Sequence, residues 1–142
     1  MSTVTQAAKV LYTAKTHTTG GRERGISKSS DGNLDIKLST PGTKGTGTNP
    51  EQLFAAGWSA CFEGALGIAA RKRRIDLPAG TAIDAEVDLI SDNGGYFLGA
   101  RLNVSLPGLD KDIAYELITE ASETCPYSKA IKGNVDVVYN LV

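Results

Sequence analysis

Histidine occurs once in this chain, as His17, and cysteine only twice, as Cys61 and Cys125. One imidazole cannot build a multi-histidine metal centre and gives a Ser-His-Asp triad almost no material; two thiols with one histidine fall short of a structural zinc site. No bound metal is expected. An excess of charge is also missing, because 15 Lys and Arg against 16 Asp and Glu leave a net charge of −1. That balance gives no electrostatic reason to expect nucleic acid or an anionic membrane as a partner. The first residues, Met1 to Lys9, hold no apolar core of signal-peptide length. No stretch of about 18 apolar residues reads as free enough of charge to span a bilayer. The expected compartment is therefore the cytoplasm, where a cysteine pair is reactive, redox-cycling or simply buried rather than a permanent staple.

What is present suits one α+β domain over residues 1–142: 41% hydrophobic and 22% charged residues are ordinary for a globular protein of this length. Val10 to Thr18 alternates as a strand, Gly20-Gly21 breaks it, and Arg22 to Ser29 reads as the returning arm. Leu34, Ile36 and Leu38 alternate with polar residues as a third strand, closed by Pro41. The run Pro41-Gly-Thr-Lys-Gly-Thr-Gly-Thr lacks the order of a phosphate loop and reads as a loop. Asn49 suits a helix cap and Pro50 the first helical position. From Pro50 to Lys72 the helix is apolar or small on nearly every side, which predicts a long central helix buried all round. A rod of about 35 Å cannot be covered by one small sheet, and each interior Gly costs about 1 kcal/mol unless tight packing offsets it. A second copy of the chain is the expected cover. Arg71-Lys72-Arg73-Arg74 reads as a solvated cap on the negative end of the helix dipole.

Two strands, Ala82 to Ser91 and Tyr96 to Leu106, follow around an Asn93-Gly94 hairpin signal. A second helix from Lys111 places Ile113, Leu117, Ala121 and Cys125 at spacings of four, so Cys125 ends its inward face, and Pro126 disfavours helical geometry at Cys125. Val135 to Leu141 alternates as a last strand. The predicted order is βββαββαβ.

His17, among threonines in a strand, reads as exposed. Cys61 has the most distinctive context, and its thiol is either inert core or a guarded nucleophile. A free thiol is only about 3% ionised at pH 7 and burial lowers that fraction, so a catalytic Cys61 needs a nearby cation.

The segments Thr19-Gly20-Gly21-Arg22, Gly47-Thr-Asn-Pro-Glu-Gln-Leu-Phe-Ala-Ala-Gly57, Ser59-Ala60-Cys61-Phe62 and Cys125-Pro126-Tyr127-Ser128 occur in this order across the whole chain. Together they closely resemble the organic hydroperoxide resistance proteins of the OsmC superfamily. The resemblance implies an OsmC-like fold in an intertwined homodimer and a thiol peroxidase acting on alkyl or fatty-acid hydroperoxides. In it Cys61 is peroxidatic, Cys125 resolves it as a disulfide, Arg22 holds the thiolate and Glu51 orients Arg22. No cofactor is bound; electrons come from an external dithiol, typically the dihydrolipoyl groups of lipoylated proteins. One departure is Trp58, where the family pattern has tyrosine. Phe54, Trp58, Phe62, Phe97 and Tyr127, with Tyr96, are candidate walls of an apolar substrate site. Glu51 lies ten residues before Cys61, about 15 Å along the helix axis, and cannot touch that thiol directly. Two other readings stand beside this one: an OsmC-type peroxidase of broader substrate range, and a non-catalytic dimeric protein that binds a small ligand.

Overall fold

The computed structural model describes residues 8–142, and the chain divides into two compact units, Met1–Pro50 and Glu51–Val142.

In the first unit, β1 (Thr16–Thr19), β2 (Ile26–Ser29) and β3 (Asp35–Lys37) form an antiparallel sheet in that order. β1 is shorter than the alternation from Val10 predicts. Its partner β2 stops at Ser29, where the Asp31 carboxylate accepts from the Ser29 hydroxyl and the Asn33 backbone N–H at 2.6 and 2.9 Å and turns the chain. Val10, Leu11 and Tyr12 consequently have no ladder to join and stand exposed. Arg22 likewise does not lie in a strand. Gly20 and Gly21 take positive φ (80° and 68°) and lead into one helical turn, α1 (Gly21–Arg24), before β2 begins. A Cβ on Gly25, just after that turn, would fall on the Gly21 carbonyl oxygen, so the turn closes only over glycine. Beyond β3 the Gly/Thr-rich loop is fastened at its ends: Ser39 Oγ accepts from the Gly47 N–H and donates to its carbonyl, at 2.8 and 3.1 Å.

The second unit is built on α2 (Pro50–Lys72) and a sheet of order β4-β5-β6. β4 (Ala82–Asp92) and β5 (Gly95–Ser105) pair over their whole length, from Ala82 with Ser105 to Asp92 with Gly95. The hairpin turns on Asn93 and Gly94, both at positive φ as a two-residue primed turn requires. β6 (Asp136–Leu141) runs parallel to β5 beside Gly99–Val104. A parallel neighbour needs a crossover, supplied here by α3 (Lys111–Thr124) and α4 (Pro126–Ile131). The predicted order holds for all six strands and both long helices; the short helices α1 and α4 are additions. Pro126 does end α3, leaving Cys125 extended at φ −60° and ψ 123°, but it is also the first residue of α4.

One face of α2, comprising Trp58, Phe62, Ala65, Leu66, Ala69 and Ala70, packs into a core with Ala100, Leu102 and Val104 of β5 and Ala114, Leu117 and Ala121 of α3. The helix is not buried all round within this chain: Ala56, Ala60, Gly64 and Ile68, spaced by four on another face, are exposed. A single layer of sheet and helix covers one side of the rod, as its width dictates. By length and composition α2 is also apolar enough to cross a membrane, contrary to the reading of the sequence, because its only mid-helix charge is Glu63. The core helix of a globular protein meets the same criterion. The basic cluster after α2 is not merely solvated: Arg73 Nη1 donates to Glu120 Oε1 at 2.9 Å and Lys72 Nζ lies 3.2 Å from Oε2, tying the end of α2 to α3.

Candidate active site

Cys61 lies midway along α2, half-buried against the core, and Cys125 at the α3–α4 junction is fully buried. Both are free thiols. The fold brings them together: the Cys125 side chain lies close enough to that of Cys61 to disfavour its thiolate, and the Tyr127 backbone N–H faces the Cys61 sulfur and favours it. That N–H is available because Tyr127 is in the first turn of α4, where amides have no partner within the helix. Burial pushes the Cys61 thiol above its ordinary range, the Tyr127 amide pulls against this, and Cys125 adds to the rise. The surroundings that Cys61 finds in its own unit therefore keep it protonated at neutral pH.

Three aromatic rings, on α2 and in the first turn of α4, pack together. Phe54 meets Trp58 edge-on at 5.5 Å between centroids and Tyr127 edge-on at 5.9 Å. The Tyr127 ring crosses α2 at Gly57, where a Cβ would stand 2.9 Å from its Oη and 3.3 Å from its Cζ. Trp58 is fully buried and its indole Nε1 donates to Ser128 Oγ at 2.9 Å, while the Tyr139 hydroxyl donates to the same oxygen at 3.2 Å. Tyr139 stacks on the buried Phe62 at 5.5 Å. Burial raises the Tyr139 phenol above its ordinary range, although the Ser128 hydroxyl opposes this. A cavity of about 250 Å³ opens on the far side of this network, lined by Ser128, Ile131, Val135, Val137 and Tyr139 among others, and neither cysteine lines it.

The remaining candidates lie on other elements or at the start of α2. Arg22 is in the exposed turn α1 of the first unit. Glu51 is in the first turn of α2, well short of Cys61 along the axis. Tyr96 and Phe97 are exposed near the tip of the β4–β5 hairpin, beyond the stretch of β5 that β6 covers. His17 is exposed in β1, as expected. Among the described residues no His, Cys, Asp and Glu cluster that could hold a metal is found. The sequence reading missed Ser128 and Tyr139. Pro126 at a helix start was the available signal, since it makes Cys125 a cap and puts Ser128 one turn into a new helix.

Residues 42–140 match the family described as OsmC-like protein. The chain belongs to the OsmC-like family. Among its relatives, the organic hydroperoxide resistance protein of Xanthomonas axonopodis pv. citri is 47% identical over 137 residues, 94% of this chain and 96% of that protein. The crystal structure of the organic hydroperoxide resistance protein OhrB of Bacillus subtilis superposes with a TM-score of 0.88 at 45% identity, covering 94% of this chain and all of that one. An organic hydroperoxide resistance protein from Legionella pneumophila gives 0.87 at 42% identity, over 94% and 98% of the two chains. The OsmC-like α+β fold and the resemblance to organic hydroperoxide resistance proteins are thus borne out.

Proposed function

We propose that this OsmC-like chain is a thiol peroxidase that reduces organic hydroperoxides to alcohols and so protects the cell against them. A role in organic hydroperoxide resistance is supported by the names of relatives that match nearly the whole chain. The observation that favours the thiol mechanism is the proximity of the two free thiols Cys61 and Cys125, which the fold brings to one core although they are 64 residues apart in sequence.

The chemistry runs in three balanced steps. The Cys61 thiolate attacks one peroxide oxygen and the O–O bond breaks; the alkoxide takes a proton and leaves as the alcohol, with Cys61 now a sulfenic acid. The Cys125 thiol then attacks the Cys61 sulfur, water departs, and a Cys61–Cys125 disulfide forms. An external dithiol, by resemblance the dihydrolipoyl groups of lipoylated proteins, returns two electrons and two protons and restores both thiols.

The raised pKa of Cys61 within its own unit makes a cation necessary to the first step. Arg22 is the residue the resemblance assigns. A guanidinium a few ångströms from a thiol lowers its pKa by about one to three units and also stabilises the departing alkoxide. Glu51, as its orienting carboxylate, would act from the partner copy or from farther along the helix. Phe54 and Tyr127, with Trp58 and Phe62 behind them, favour apolar hydroperoxides over hydrogen peroxide; Phe97 and Tyr96 belong to this wall only where a second copy brings them to it. The exposed stripe Ala56, Ala60, Gly64 and Ile68 of the second unit is the surface a homodimer would cover. We place the protein in the cytoplasm, with no nucleic-acid or membrane partner.

The test compares turnover of an alkyl hydroperoxide and of hydrogen peroxide by the parent chain and by Cys61→Ser with a dihydrolipoyl donor. Preference for the alkyl substrate, lost with Cys61, supports the proposal. Equal turnover by Cys61→Ser would instead leave a ligand-binding protein with two packed thiols. Sedimentation at micromolar concentration should give twice the chain mass.

A further inference from the structure

Two residues of α2 face two residues of the α3–α4 junction in matched register. Cys61 meets Cys125, and Trp58, three residues earlier on the same helical face, meets Ser128, three residues later. The first pair is the redox couple; the second is a buried hydrogen bond of 2.9 Å between an indole N–H, which can only donate, and a hydroxyl that also accepts from Tyr139. Trp58 is fully buried and Ser128 only 2% exposed, so water does not compete for that bond. Tyr139, which backs Ser128, is itself held by stacking on Phe62, the neighbour of Cys61.

We propose that Trp58 and Ser128 are positioning residues for the disulfide-forming step: their hydrogen bond holds α4 in the register that keeps Cys125 against Cys61. The inference rests on the two-cysteine mechanism proposed above and adds to it what decides how quickly the sulfenic acid is resolved. A sulfenic acid at Cys61 has two fates. Cys125 converts it to a disulfide with loss of water, or a second hydroperoxide transfers an oxygen to it, leaving as alcohol and giving an irreversible sulfinic acid. Loosening α4 slows the first route and leaves the second untouched. The Trp58–Ser128 bond therefore sets how much hydroperoxide the protein survives.

The experiment uses the reduced full-length chain, Trp58→Phe, Ser128→Ala and the double variant, each given excess cumene hydroperoxide without a dithiol. Intact mass separates disulfide, a loss of two hydrogens, from sulfinic acid, a gain of two oxygens, and stopped-flow intrinsic fluorescence in the Ser128→Ala and parent chains follows the first oxidation. The ratio of sulfinic acid to disulfide is expected to rise about two- to tenfold in each single variant, the range a buried hydrogen bond is worth. The double variant should be no worse than either single one, and first oxidation of Ser128→Ala should stay within about twofold of the parent. Unchanged ratios, or effects of the two substitutions that multiply, would overturn the inference. Where Trp58→Phe does not fold, the ratio in Ser128→Ala alone decides, because its first-step rate reports whether the site is intact. If the parent chain forms no Cys61–Cys125 disulfide at all, it is the two-cysteine mechanism that fails; if it does and the variants match it, only the positioning role fails.

Discussion

Cys61 sits in the middle of an unbroken helix, half-buried, with a backbone amide and a second thiol nearby, whereas Cys125 sits at a break between two helices, fully buried and extended. A thiol in a rigid helix is held still for a reagent that must come to it. A thiol at a junction can shift with one short helix and so can close a bond with little disturbance of the core. The difference fits the unequal work proposed for the two sulfurs, and each of the following changes should break or sharpen it.

The largest effect is expected from Cys61→Ser, which should lower hydroperoxide turnover by about a thousandfold or more, since the nucleophile itself is lost. Cys125→Ser should differ in kind. Single-turnover loss of hydroperoxide stays near the parent rate, but Cys61 accumulates as sulfenic and then sulfinic acid, and steady-state turnover with a dithiol falls by about tenfold or more. If the two variants behaved alike, the contrast between the sulfurs would be wrong.

Arg22→Met tests what ionises Cys61. Burial and Cys125 raise the Cys61 pKa, and a raised thiol pKa means that the reactive thiolate appears only as pH climbs. Removing the proposed cation should therefore move the midpoint of the pH profile of Cys61 alkylation upward by about one to three units. A midpoint that does not move would dismiss Arg22 from that role.

The smallest effect is expected from Gly57→Ala. Alanine favours the helix by about 1 kcal/mol, but its Cβ would meet the Tyr127 Oη at 2.9 Å. Tyr127 is 41% exposed and can swing aside, so the overpacking cost should lie near the low end of about 1–3 kcal/mol. Global stability should change by about 1 kcal/mol or less, while alkylation of Cys61, whose sulfur faces the Tyr127 backbone N–H, becomes severalfold faster as the displaced ring carries that backbone with it. Thermal unfolding and alkylation rates together check this.

The sequence was most informative where one periodicity governed a long segment. α2, the β4–β5 hairpin and α3 lie within a residue or two of their predicted bounds, because each has a strong hydrophobic period and marked ends such as Pro50 and Asn93-Gly94. It was least informative in the first unit. Val10 to Thr18 alternate like a strand but only Thr16–Thr19 join a ladder among the described residues, and Arg22 falls in a helical turn set by glycine φ values that alternation does not report. Cys61 and Cys125 were legible as the two candidate thiols because helix phase puts both on inward faces, and their separate roles rest on the family resemblance. The Trp58–Ser128–Tyr139 network was not, since it depends on a hydroxyl in a six-residue helix too short to show a period. Trp58 did stand out as a departure from the family pattern, and its indole N–H gives that departure a physical consequence.

The central claim is that Cys61 and Cys125 trade two electrons with an organic hydroperoxide, and one measurement addresses it most directly. The reduced chain is treated with one equivalent of cumene hydroperoxide, and its intact mass is taken with and without alkylation. The account predicts loss of two hydrogens, no alkylatable thiol, and a Cys61–Cys125 cross-link in the digest. Two thiols still open to alkylation after the hydroperoxide has been consumed would contradict it.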